Sequence, residues 1–179
     1  MIRTFIAAEP SEDIRKKIFE VGNILASNNE CRLKIVSAEQ MHITLKFLGD
    51  TPEQKIPKIT EALENISAMP YIIKASGVNC FGRPARIIKA EIHDKGASAK
   101  LAEKIDNSLL KLGIAKENKK FSPHITIARV KEYSPSIMPI LNNLRNCYFG
   151  ECDISSVALK RSTLTPTGPI YNTISEVRL

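Results

Sequence analysis

Long apolar runs are the first absence. No stretch of the 179 residues is apolar enough over enough length to cross a bilayer. The opening Met1-Ile2-Arg3-Thr4-Phe5-Ile6-Ala7-Ala8 is too short and wrongly flanked for a signal peptide. Both readings predict a cytoplasmic protein with no membrane partner. Cysteine is also scarce. Of Cys31, Cys80, Cys147 and Cys152 only the last two are near neighbours, and no Cys-x-x-Cys or Cys-plus-His spacing occurs. Reduced, buried thiols are expected rather than bridges or a zinc site. Aromatics are few: six Phe and four Tyr form no ladder that would stack a long single strand. A Walker loop and a paired-carboxylate metal site are missing as well, so neither a cofactor nor a metal is expected.

What is present describes an ordinary globule. Apolar residues make up 43% and charged residues 25%, enough for one unit spanning 1–179 with a substantial core. The net charge of +7 favours an anionic partner, and a short nucleic-acid end or a small nucleotide fits better than an extended tract.

Along the chain, alternation and punctuation predict the elements. Ile2–Ala8 reads as a strand. A helix follows with Ser11 as cap, Glu12 and Asp13 in its first turn, Ile14, Ile18, Val21 and Leu25 as its stripe, and Asn28-Asn29 as its end. Arg32–Val36 is a short strand. Thr51-Pro52-Glu53-Gln54 is read as a helix start, its stripe being Ile56, Ile59, Leu63 and Ile66, with Pro57 a place for a kink. Tyr71–Val78 and Arg86–Ile92 are strands. A third helix carries Leu101, Ile105, Leu109 and Leu112 and stops at Gly113. Ser134-Pro135 opens a fourth with Ile137, Ile140, Leu141 and Leu144. Strands near Tyr148–Cys152, Ile154–Ser162 and Tyr171–Leu179 close the chain, the last two joined by a turn at Thr165–Pro169.

One pattern recurs. His42-Ile43-Thr44-Leu45-Lys46-Phe47-Leu48-Gly49 and His124-Ile125-Thr126-Ile127-Ala128-Arg129-Val130 each begin His-Ile-Thr and run on as a strand. Strand periodicity puts His42 with Thr44, and His124 with Thr126, on one face, and turns Ile43, Leu45 and Phe47 the other way. Strand, helix and histidine strand occupy Ile2–Leu48 and recur over Arg86–Val130. Two like lobes are therefore expected, each lending one histidine strand to a cleft between them.

The residue types suit one chemistry. Histidine titrates near neutrality, so one imidazole can be neutral while the other is charged, as concerted base and acid catalysis requires. Threonine hydroxyls and a cation can hold the non-bridging oxygens of a phosphate. Metal-free cleavage of a phosphodiester is the natural assignment. A single such motif in a strand arises easily by chance; two in equivalent places do not. His93 is the internal control: Lys95 stands where a threonine would be, and a surface or turn role is expected.

The doubled motif resembles the signature of the 2H phosphoesterases. Met1–Ala7, His42–Gly49, Phe121–Arg129 and the tail Ser162, Gly168 and Tyr171 resemble the RNA 2′,3′-cyclic phosphodiesterases, also called 2′-5′ RNA ligases. This likeness implies an α+β, bilobal fold: two pseudo-symmetric lobes of antiparallel sheet, helices outside, and a central basic cleft. It implies hydrolysis of RNA 2′,3′-cyclic phosphate ends to 2′-phosphomonoesters by a monomer, with 2′-5′ joining as the reverse reaction. His124 would accept a proton from water and His42 would donate one to the leaving 3′ oxygen. Thr44 and Thr126 would grip phosphate. Arg129 would bind phosphate or base, although simple alternation turns it away from His124 unless a bulge intervenes. Phe5 would stack on a base or else belong to the core, and Tyr171 would reach the cleft or pack beneath it. The competing reading is an RNA- or nucleotide-binding module without turnover, which the intact motif residues argue against.

Overall fold

A computed structural model describes residues 1–27, 30–166 and 168–179. The first half of the chain contains β1 (Ile2–Ala8), α1 (Glu12–Ala26), β2 (Arg32–Ile35), a 3-10 turn (Ala38–Gln40), β3 (Ile43–Thr51), α2 (Ile56–Glu64) and β4 (Tyr71–Phe81). The second contains β5 (Ile87–His93), α3 (Ala97–Leu110), β6 (His124–Glu132), α4 (Ile137–Asn143), β7 (Tyr148–Ile154), β8 (Ser156–Thr165) and β9 (Gly168–Arg178). The expected helix end at Asn28-Asn29 and part of the turn before β9 lie outside the described residues.

Among the described residues the strands form one antiparallel sheet in the order β7-β4-β5-β6-β3-β1-β8-β9, with β2 added beside β6. The α+β class and the two antiparallel lobes expected from the sequence are present. One lobe is β3-β1-β8-β9, the other β6-β5-β4-β7, and β3 and β6 meet at the centre through the single pairing Ile43↔Ile125. The halves of the chain do not each build one lobe, however. β4 crosses to pair with β5 and β7, while β8 returns to pair with β1. The helices cross too. α1 packs on β2, β6 and β7, and α3 packs on β3 and α2. Gly22 makes the first crossing close: a methyl group there would lie 2.9 Å from Ile35 Cγ2.

The crossing is driven by apolar stripes. Ile14, Ile18, Val21 and Leu25 are buried along α1, and Leu101, Ile105 and Leu109 along α3, each large side chain stabilising the fold by about 1.5–3 kcal/mol. A polar tie reinforces the second crossing. Lys46 of β3 is buried, its ammonium donating to the carboxylate of Asp106 on α3 and to the Ala115 carbonyl at 2.8 Å. Such a pair is costly to break singly, because the partner is left charged and dry.

Local signals misplace two helix ends. Thr51 does not cap α2. It closes β3 opposite Ile2, and its hydroxyl lies 2.8 Å from that of Thr4 in the core. Pro52 leads instead into a 3-10 turn at Glu53–Lys55, and α2 begins at Ile56 with Pro57 in its first turn, where proline is tolerated. Leu112 lies past the end of α3, in a turn closed by Gly113 at φ 74.

Candidate active site

Both His-Ile-Thr segments meet where β3 and β6 touch. Ile43 and Ile125 are fully buried and directly paired. Antiparallel register therefore points His42 toward Thr126 and Thr44 toward His124. The two imidazoles are held alike. Nδ1 of His42 lies 2.7 Å from the Gln40 carbonyl, and Nδ1 of His124 lies 2.8 Å from the Ser122 carbonyl. A carbonyl can only accept, so each Nδ1 carries its hydrogen and each Nε2 is left for chemistry. In the neutral His42 ring, Nε2 accepts the Thr44 hydroxyl at 3.0 Å.

A pair of β-bulges completes both motifs. On β3, Thr44 pairs with Ala7 and Lys46 with Ile6, leaving Leu45 as the extra residue. On β6, Thr126 pairs with Lys89 and Ala128 with Ile88, leaving Ile127 extra. Two consecutive side chains then point into the core: Leu45 with Lys46, and Ile127 with Ala128. Alternation restarts on the opposite parity. Phe47 and Arg129 thereby come round to the histidine face. This corrects the simple alternation that turned Phe47 away, and it supplies the bulge that Arg129 required.

The surroundings differ between the lobes. His42 lies against rings: Phe5 at 4.8 Å between centroids, and Tyr171 edge-on at 5.3 Å. Tyr171 also meets Phe5 edge-on at 5.0 Å, so it packs at the site rather than away from it. Phe5 itself is only 3% exposed and cannot offer a face to a base; it belongs to the core. Phe47, 65% exposed and 6.4 Å from Phe5, is the open aromatic on that face. His124 has Phe81 edge-on at 5.0 Å, and Lys89 Nζ sits over the Phe81 ring, 4.6 Å from its centroid. Each side carries a buried lysine joined to a glutamate: Lys160 to Glu9, and Lys89 to Glu91 at 3.2 Å.

Burial lowers the basicity of both rings, since removing water penalises the charged form. It pushes His42 down to about 4; the Gln40 carbonyl and Glu9 oppose the shift, whereas Lys160 and His124 add to it. His124 is pushed below its ordinary value by burial and by Lys89, against the Ser122 carbonyl. Both rings are neutral at pH 7 in the unliganded protein. A phosphate between them would act in the opposite sense, because a nearby anion favours the imidazolium.

Elsewhere, His93 is exposed at the end of β5, 3.3 Å from the Ser76 carbonyl, as expected of a surface residue. The thiols are unpaired, but only Cys31 is buried; Cys80 and Cys152 lie on partly covered strand positions, and Cys147 is partly covered just before β7. Among the described residues no three His, Cys, Asp or Glu side chains group to hold a metal ion, and no helix is long and apolar enough to cross a membrane. Sequence reasoning missed Phe47, Phe81, Lys89, Lys160 and the Gln40 carbonyl. A lysine inside an apolar run, as in Ile87-Ile88-Lys89-Ala90 and Val157-Ala158-Leu159-Lys160, was the readable signal for two of them.

Comparison with known proteins bears on the family and the fold. The family model described as LigT like Phosphoesterase matches twice, over residues 9–88 and 93–171. A protein of Archaeoglobus fulgidus named RNA 2′,3′-cyclic phosphodiesterase is 34% identical over 172 residues, covering 95% of this chain and 96% of that one. Among solved structures, TT0787 of Thermus thermophilus superposes with a TM-score of 0.84 at 28% identity, over 99% of this chain and 98% of that one. LigT of E. coli, solved with 3′-AMP, superposes with a TM-score of 0.83 at 19% identity over 99% and 98%, and shares the fold. The chain belongs to the LigT-like phosphoesterase family.

Proposed function

We propose that this protein is a phosphodiesterase that opens the 2′,3′-cyclic phosphate at an RNA 3′ end and leaves a 2′-phosphomonoester. The observation that carries the reading is the matched pair of imidazoles. Each has Nδ1 committed to a backbone carbonyl and Nε2 available at the junction of the two lobes. The relative from Archaeoglobus fulgidus bears the name of this activity.

In the proposed step, His124 Nε2 takes a proton from water as its oxygen attacks phosphorus. The bond from phosphorus to the 3′ oxygen breaks, and His42 Nε2–H protonates that oxygen. Afterwards the proton on His124 returns to solvent and His42 is recharged. Thr44 links charge to binding. Its hydroxyl serves the neutral His42 ring in the free protein, but a protonated Nε2 can no longer accept it. Protonating His42 thus frees that hydroxyl for a non-bridging phosphate oxygen. Thr126 supplies the second donor. Arg129, Lys89 and Lys160 add positive field where charge develops. Each role falls to a side chain of residues 1–179, so a single two-lobed unit acts alone, as a monomer, and needs no metal.

The test is turnover of an oligoribonucleotide ending in 2′,3′-cyclic phosphate, in excess chelator, with products sorted against 2′- and 3′-phosphate standards. Continued hydrolysis to the 2′-phosphate is expected. Loss of activity that one divalent ion restores, or a 3′-phosphate product, overturns the proposal.

A further inference from the structure

Beyond the histidines, the same face of the second lobe continues into an open cavity of about 330 Å³ whose lining includes Lys74, Ser76, Glu91, His93, Arg145 and Tyr148. Register makes it an extension of the site. Glu91 pairs with His124, and His93, next but one along β5, pairs with Lys74 of β4. Ser76 of β4 pairs with Tyr148 of β7. With strands about 4.8 Å apart, Lys74 stands roughly 10 Å and Tyr148 roughly 14 Å across the sheet from the His124 strand.

Its chemistry is that of a nucleic-acid backbone site. Lys74, Arg145 and Tyr148 are exposed, and among the described residues neither Lys74 nor Arg145 forms an ion pair. The Lys74 ammonium lies 5.7 Å from the centre of the Tyr148 ring, which is 57% exposed. The one carboxylate of the lining, Glu91, already accepts from Lys89 Nζ and Asn79 Nδ2, each at 3.2 Å. The loop that carries Arg145 is seated by backbone bonds to β4 and by Leu144 and Cys147 packing on the core. Gly77, at φ 84, donates its N–H to the Cys147 carbonyl at 2.7 Å, and a methyl group there would meet the Arg145 carbonyl at 2.8 Å. Arg145 is therefore held beside the β4 bulge rather than left on a loose loop.

We propose that this cavity is a subsite for the RNA nucleotides preceding the cyclic end, with Lys74 and Arg145 on backbone phosphates and Tyr148 under a base. The inference rests on the cyclic-phosphate reading and deepens it, since it makes the preferred substrate an oligonucleotide rather than a mononucleotide. The exposed Lys74 ammonium near the Tyr148 ring, with Arg145 lining the same cavity, chooses the second lobe for this strand. The corresponding face of the first lobe presents Phe47, Leu164 and Tyr171, and its buried Lys160 is tied to Glu9.

The experiment compares wild type with Lys74→Ala/Arg145→Ala and with Tyr148→Ala, on cyclic-phosphate substrates from the mononucleotide up to six nucleotides. For wild type, kcat/KM rises about tenfold or more with length. The double variant loses that gain through KM and keeps the wild-type rate on the cyclic mononucleotide; Tyr148→Ala loses about tenfold on the longer substrates only. A binding arm needs no turnover: anisotropy of a labelled hexanucleotide ending in 3′-phosphate. Two lost phosphate contacts should flatten its salt dependence by about one to one and a half units of log Kd per log salt. Lys74→Arg should restore most of the binding. A length effect and salt slope unchanged in the double variant overturn the subsite. Wild type that binds the hexanucleotide with the expected slope but hydrolyses no cyclic phosphate overturns the function and leaves the subsite standing.

Discussion

The first histidine is enclosed by two rings and the second by one, while each has a buried lysine–glutamate pair on its side. His42 is enclosed by Phe5 and Tyr171, with Phe47 open to solvent beyond them. His124 sits against a single ring, Phe81, which is backed by Lys89, and Arg129 shares its face. Backbone treatment of the two imidazoles is the same, down to the carbonyl two residues earlier and the bulge after the threonine. Duplicated backbone thus fixes where the two Nε2 atoms sit, and unduplicated side chains decide what each can do. The half richer in rings suits a nucleoside.

The largest effect should come from what is duplicated. His42→Ala and His124→Ala should each lower turnover by roughly 10²–10⁴-fold, and the double variant should fall well short of the product. Steady-state kinetics with folding checked by circular dichroism measures it; near-normal turnover of either single variant removes that residue from acid–base chemistry. Next come the threonines. Thr44→Val and Thr126→Val should each cost about 10²-fold in kcat, the scale for one lost donor to a developing anion. Only Thr44→Val should raise the His42 pKa, since its hydroxyl favours the neutral ring; imidazole titration by NMR distinguishes the two. A smaller contrast concerns the aromatics. Phe47→Ala should raise KM about tenfold with kcat little changed, because an exposed ring contributes stacking, whereas Phe81→Ala should act on kcat by loosening His124.

Acidity gives a further contrast. In the free enzyme His42 titrates near 4 and His124 below its ordinary value. The proposed step needs His42 charged and His124 neutral, so kcat/KM should peak on the acid side of pH 6.5 and fall as pH rises. Bound phosphate raises both values, and the kcat optimum should lie at higher pH. Coincident optima at or above neutrality would contradict this. Stability follows the same shift. Below pH 6.5 the unfolded chain binds a proton at His42 that the folded chain refuses until about pH 4. Stability is therefore lost as pH falls through that window, and His42→Asn should lose less, as thermal melts at pH 7 and 5 would register.

Much of this was legible because motif chemistry is local. The two His-Ile-Thr segments, the strand character around them and the stripes of α1 and α3 all follow from residues within one element. The bulges were half legible. Ile127-Ala128 breaks alternation openly with two apolar residues in a row, but on β3 the second inward residue is Lys46, which reads as an outward position. Its burial depends on Asp106, sixty residues away. The lobes were predicted, but the exchange of β4, β8, α1 and α3 between them was not, since strand order is set by pairings between distant segments. Thr51-Pro52 failed as a helix start for the same reason: a local cap signal lost to pairing with Ile2 and a buried bond to Thr4.

The division of labour between the two histidines is tested most directly by a substrate whose leaving group needs no acid. On a 3′-thio cyclic phosphate the sulfur departs unprotonated. His42→Ala should regain much of its lost rate there, and His124→Ala, which lacks the base, should regain none. Rescue of His124→Ala instead would exchange the two roles, and rescue of neither would contradict paired acid–base catalysis at this site.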